Sequence, residues 1–172
     1  MKKIYLIITI LFVGLYSCKA QLNELTQTEF LNIKFSNVTL DQIYGTEGDI
    51  NQMKALFGND LLTEANTTGP SLGRDFWNNN IYLNFEDDSN TGNQYSPTNI
   101  QVKNASVSVT VKGVTAKLGD DKSVFANNKA INTHVGSNNT IAFIDKLTGS
   151  ALLIFKIDEI SNKIIEITFN AF

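Results

Sequence analysis

The hydrophobic rhythm of the chain changes twice. Residues 4 to 14, "IYLIITILFVG", form an apolar run broken by one Thr and carrying no charge. That is too short to span a bilayer, which takes roughly 20 residues. Between residues 38 and 58 the apolar positions recur at helical spacing. "VTLDQIYG" and "GDINQMKALFG" predict two short helices, the second with Ile50, Met53, Leu56 and Phe57 on one face. Thr39 with Gln42, and Asp49 with Gln52, fit the pattern in which a capping side chain and the residue three later satisfy each other's free amides. Gly45 and Gly58 stand where a left-handed residue would end each helix.

From residue 81 the period becomes two. In "IYLNFE", Ile81, Leu83 and Phe85 alternate with Tyr82, Asn84 and Glu86. In "ASVSVTVK", Val107, Val109 and Val111 alternate with polar residues. Beyond Gly113 the apolar parity flips to Val114, Ala116 and Leu118, which predicts a bulge or a turn at that glycine. "GDDK" at 119 to 122 reads as a turn. "TIAFIDKL", "ALLIFKI" and "KIIEITF" read as three further strands joined by hairpin-length links. "ALLIFKI" is apolar on both faces as far as Lys156 and so predicts a central strand.

This order predicts an α+β fold: two short N-terminal helices packed on an antiparallel β-meander of about five to six strands. The domain is placed at residues 31–172, after a tether at 18–30. The helical entry "GTEGDINQMKALFG" carries a Gly, a capped helix and a Gly exit. In this it resembles the β-lactamase-inhibitor-protein-like fold, which small lipoproteins of the outer-membrane assembly machinery share. The span from Gly45 to Gly58 is longer than that pattern's. The resemblance contains no functional residue and implies a fold only.

The N-terminus adds an address. Lys2 and Lys3 precede the apolar run, as in a secretory signal peptide occupying residues 1–17. Leu15-Tyr16-Ser17-Cys18 then resembles the lipobox of bacterial lipoproteins, departing from it at Tyr16, where a small residue is usual. The resemblance implies that Cys18 takes a diacylglycerol thioether, that the peptide is cut before it, and that the new amino group is acylated. It also accounts for a lone cysteine in a secreted chain. Several acyl chains hold a protein to a membrane where one does so marginally. Lys19 replaces the Asp that retains lipoproteins in the inner membrane of many Gram-negative bacteria. "KAQLN" has no acidic cluster of the kind that directs some of them to the cell surface. The expectation is an outer-membrane lipoprotein facing the periplasm, with the cell surface as the alternative.

Composition narrows the classes. The chain is mildly acidic, with a formal net charge of −3, and becomes more so without Lys2 and Lys3. With no basic stripe it does not read as a nucleic-acid binder. "GPSLG", residues 69 to 73, matches the G-x-S-x-G of serine hydrolases, with Ser71 as nucleophile and Asp120 or Asp121 and His134 in the family's order. The chemistry needs a buried strand before the serine and a helix after it. "TEANTTG" and "RDFWNNN" supply neither, so a Gly/Pro turn is the simpler reading. His134 is the one histidine, and a zinc site wants several His or Cys ligands. "EDDSNTGN" misses the EF-hand pattern, having Gly92 and Asn93 out of place and no Glu at 99. Glu47, Asp49 and Asp60 flank the second helix and read as ordinary capping charge. No cofactor or metal is expected.

"RDFWNNNIY" holds the single Trp and the single Arg. Arg74, Trp77 and Tyr82 are the candidate binding residues, since Trp, Tyr and Arg dominate interface hot spots. The alternative for Phe76 and Trp77 is a plug between helices and sheet, because large aromatics are mostly buried. The functional expectation is a non-enzymatic, lipid-anchored envelope protein that binds another envelope component, as an immunity or inhibitor protein does. A glycan- or small-ligand-binding lipoprotein is the alternative, and a small serine hydrolase the third class.

Overall fold

The computed structural model describes residues 22–66, 72–87, 89, 92, 94–134 and 139–172. Period-two alternation makes most of it. In β6 (Ile81–Asp87), Ile81, Leu83, Phe85 and Asp87 are buried while Tyr82, Asn84 and Glu86 stay partly exposed. The same alternation builds β10 (Thr140–Asp145), β11 (Ala151–Ile157) and β12 (Ile164–Ala171) where the sequence predicts three strands. Strands that the sequence concealed join them: β1 (Asn23–Leu25), β4 (Leu62–Asn66), β5 (Leu72–Trp77) and β7 (Ser96–Val102). Together they form an eight-stranded sheet in the order β1-β10-β11-β12-β7-β6-β5-β4. Among the described residues, β1–β10 is the one parallel pairing of this sheet.

A second, four-stranded sheet holds β2 (Lys34–Phe35), β3 (Val38–Thr39), β8 (Ser108–Val111) and β9 (Val114–Lys117), in the order β3-β2-β8-β9. The parity flip at Gly113 is a hairpin turn. Lys112 (φ 48°) and Gly113 (φ 73°) both lie in the left-handed region, as a two-residue turn matched to strand twist requires.

The α+β expectation is therefore corrected: among the described residues, twelve strands in two sheets replace a five- to six-stranded meander carrying two N-terminal helices. Helices are the minor component, α1 (Gln27–Leu31), α2 (Leu40–Gly45) and α3 (Ile50–Phe57). Thr39 caps α2 with the reciprocal Gln42 bond, and Asp49 caps α3 by accepting from the Gln52 amide at 2.9 Å. Gly58 ends α3 at φ 105°. Gly45 is the last residue of α2 but not a left-handed stop; Thr46 follows it in right-handed geometry, and the left-handed residues are Glu47 and Gly48. Residues 23–30, read as tether from the sequence, hold β1 and all of α1 but its last residue. Leu25 and Phe30 are buried, and the Asn23 amide donates to the carbonyls of Asn132 and Ala142.

One continuous apolar cluster lies on the inner face of the large sheet. It gathers Phe76, Leu83, Phe85, Ile100, Phe169 and Phe155 from that sheet with Phe35, Val109 and Ala116 from the small one and Leu40, Ile43 and Met53 from the helices. Phe125, from a 3₁₀ helix over Lys122–Asn127, sits 4.9 Å from Phe155 and 6.1 Å from Phe143 between ring centroids. Such pairs add about 0.5–1.5 kcal/mol each beyond burial. The architecture leaves the other face of the large sheet turned away from this cluster.

Candidate functional site

On that outer face the strand register lines up two rows of side chains. Leu62, Trp77, Tyr82, Gln101, Thr168 and Ile154 follow one another from β4 to β11. Beside them run Glu64, Asp75, Asn84, Asn99, Asn170 and Leu152. The face is thus aromatic at one end, amide-rich in the middle and aliphatic at the other end.

The polar middle is wired together. Asp75 Oδ1 accepts from the Tyr82 hydroxyl at 2.9 Å and from Asn84 Nδ2 at 2.7 Å. Thr98 Oγ1 donates to Asn84 Oδ1 at 2.5 Å, and Asn99 Nδ2 donates to Asn170 Oδ1 at 2.6 Å. Thr98 and Asn99 can both contribute because the β6–β7 register shifts at Asn84/Phe85. An inserted residue there swings a neighbour outward. Pro97, which has no amide to offer a ladder, sits at the same irregularity. Among the described residues, Asn99 Oδ1 and Thr63 Oγ1 are buried side-chain atoms with no hydrogen-bond partner.

Tyr82 is held on three sides: by β5, by Asp75 and by the Lys103 ammonium 5.1 Å from its ring centroid. Burial first, then the hydrogen bond to Asp75 and that carboxylate's charge, push its hydroxyl up to about 12. A raised value means the folded state favours the neutral phenol. Its contribution to stability is complete below the ordinary tyrosine value of about 10 and is lost as pH rises through about 12. In a near-ultraviolet absorbance titration, Tyr82→Phe should remove the highest-pH tyrosine transition and flatten the decline in stability between those values. An unchanged titration in the variant would place the raised phenol elsewhere.

The three candidate residues do not form one site. Trp77 and Tyr82 are direct cross-strand neighbours on the outer face. Phe76 is fully buried in the core, whereas Trp77 keeps part of its surface exposed. The sequence joined these two as a single plug, but adjacent residues of one strand point to opposite faces. Arg74 turns away from Trp77: its Nη1 donates to the Gly48 carbonyl at 2.6 Å and its guanidinium lies 4.8 Å from the Tyr95 ring centroid. Asp75, Asn84, Asn99, Gln101 and Asn170 were not singled out from the sequence. The alternation of "IYLNFE" was the one signal, since it puts Tyr82 and Asn84 on the same face.

Cys18 and Ser71 lie outside the described residues. His134 is exposed, and its amide donates to Asn132 Oδ1. Asp120 and Asp121 accept from the Lys117 and Ser123 amides, closing a turn and starting the 3₁₀ helix. In "EDDSNTGN", buried Asp87 takes donors from its own loop, the Ser89 amide and hydroxyl and the Gly92 amide. Among the described residues no group of three or more His, Cys, Asp or Glu could hold a metal ion. Clefts of about 200, 220, 270 and 460 Å³ lie elsewhere, and Trp77 lines none of these four.

No protein-family model matches the chain, and no curated protein matches it. Among solved structures it is similar to a cysteine-rich secretory protein from Staphylococcus aureus subsp. aureus Mu50. The identity is 13% and the TM-score 0.34, over 72% of this chain and 44% of that one. The chain spans less than half the length of that protein, and a likeness at this level assigns neither fold nor function.

Proposed function

We propose that this is a non-enzymatic binding protein of the cell envelope, held to the membrane by lipid on Cys18, whose recognition surface is the outer face of the large sheet around Trp77 and Tyr82. The observation that carries the reading is the placement of Trp77. It stands part-exposed on an open face beside a hydrogen-bonded polar row, where an indole offers apolar area and an N–H donor together. Trp77 lines none of the four clefts described above, which suits a protein partner more than a small ligand. The amide row of Asn84, Asn99 and Asn170 favours a glycan as the second reading, because such groups pair with sugar hydroxyls.

The surface is tested by a pull-down from membrane extracts with the lipidated chain, wild type against Trp77→Ala. A partner kept by the variant overturns the surface. The anchor is tested separately. Cys18→Ala should leave uncleaved precursor and abolish metabolic labelling by a palmitate analogue, and undiminished labelling would remove the anchor from the proposal.

A further inference from the structure

Arg74 has a setting of its own, on the side of β5 opposite Trp77. It is the one arginine of the chain and is partly buried. One guanidinium nitrogen is spent on the Gly48 carbonyl, and the plane lies against Tyr95. The ion pairs among the described residues all use lysines, and Arg74 takes part in none of them. A guanidinium has five N–H donors in a fork that fits a carboxylate, and a cation withdrawn from water without a counter-ion is costly.

That guanidinium forms part of the wall of a polar cleft of about 270 Å³. Glu47, Asp49 and Gln52 form another part. Glu47 is exposed and takes part in none of those ion pairs. Its backbone is left-handed at φ 47°, which disfavours a residue with a long side chain. The loop imposes that geometry through the Glu47 amide bonded to the Tyr44 carbonyl and the Asp49 amide bonded to the Thr46 carbonyl. Backbone held in this way clusters at ligand clamps. The cleft therefore gathers one cation and two carboxylates around a space smaller than the roughly 300–1,000 Å³ of a drug-sized pocket.

We infer that this cleft is a binding site for a small zwitterion, its carboxylate on the Arg74 fork and its ammonium between Glu47 and Asp49. A simple anion would meet the two carboxylates, a simple amine would meet the guanidinium, and an uncharged ligand would leave all three unpaired. A molecule carrying both charges satisfies both walls. The site is independent of the outer face, so either can fail alone.

The test is calorimetry and thermal melting of the full-length chain in detergent with glycine, β-alanine and γ-aminobutyrate, which differ in the spacing of their charges. Acetate and ethylamine serve as half-ligands. At least one zwitterion should bind saturably and raise the melting temperature more than acetate, ethylamine or their mixture at equal concentration. Arg74→Lys, which keeps the charge and loses the fork, should weaken binding at least tenfold. Glu47→Asn removes a charge and suits the left-handed backbone, so it should melt no lower than the wild type while weakening the zwitterion at least tenfold. The site is overturned if no zwitterion binds, if either half-ligand alone does as well, or if Glu47→Asn binds unchanged.

Discussion

Phe155→Ala should lower stability by about 3–5 kcal/mol, the usual cost of removing a buried aromatic side chain. Phe155 is fully buried in β11 and makes edge-to-face contacts with Phe125 at 4.9 Å and Phe143 at 6.0 Å. The three rings join the 3₁₀ helix to two strands of the large sheet, so a cavity there is lined from several elements and collapses poorly. For a chain of this size the loss corresponds to a fall in melting temperature of roughly 6–20 °C. The matched control is Ile154→Ala. Ile154 is next in sequence and points to the outer face, where it stays partly exposed. Its loss should cost about 1 kcal/mol, in line with the smaller area removed from water. Chemical denaturation of both variants decides the matter. Equal losses would mean that the large sheet is covered on both faces, and the open outer face would go with them.

Trp77→Ala should have the reverse signature. A hot-spot tryptophan is worth about 2 kcal/mol or more in affinity, roughly thirtyfold in Kd. Trp77 is paired with Leu62 on one side and Tyr82 on the other, on the face turned away from the core. Truncation there leaves the Phe76–Phe85 contact beneath it, at 5.5 Å, intact. The melting temperature should move by only a few degrees while the captured partner is lost. A fall as large as that of Phe155→Ala, with the partner retained, would make Trp77 a structural residue and leave the outer face without its anchor.

The sequence was most legible where a pattern ran long enough to show its period. "IYLNFE", "TIAFIDKL", "ALLIFKI" and "KIIEITF" are strands, and ALLIFKI lies between two others as its apolar faces require. Thr39 and Asp49 were legible as caps because capping is a local bond between residues three apart. The fold class was not legible because the remaining strands carry no clean alternation. β2 and β3 have two residues each, and a period cannot be read from two. In "LGRDFW" the outer-face row includes a glycine, Gly73, with no side chain to mark it, and Arg74 and Asp75 are both half-exposed in succession, so the pattern is scrambled. "SPTNIQV" opens with Ser and Pro, turn residues by propensity, and its bulge makes two consecutive residues polar. "NEL" is a strand because β10 offers it an edge, a cause that lies more than a hundred residues away. With those segments unread, two capped helices looked like half the domain. The same blindness to facing merged Arg74 with Trp77. They are near in sequence, but one reaches toward the loop at Gly48 and the other toward solvent.

The parallel edge strand β1 also fixes a distance. Five peptide steps separate Cys18 from Asn23, where that strand begins. An extended chain advances at most about 3.6 Å per residue, so with lipid on Cys18 this margin of the sheet stays within about 18 Å of the bilayer surface. Neighbouring strands are spaced about 4.8 Å apart, and β5 lies six strands from β1, so the Trp77 strand is about 29 Å further along the sheet. Under the proposed lipidation of Cys18, the leash and the breadth of the sheet together would define a shell about 50 Å deep against the membrane, and a partner for that strand would have to enter it.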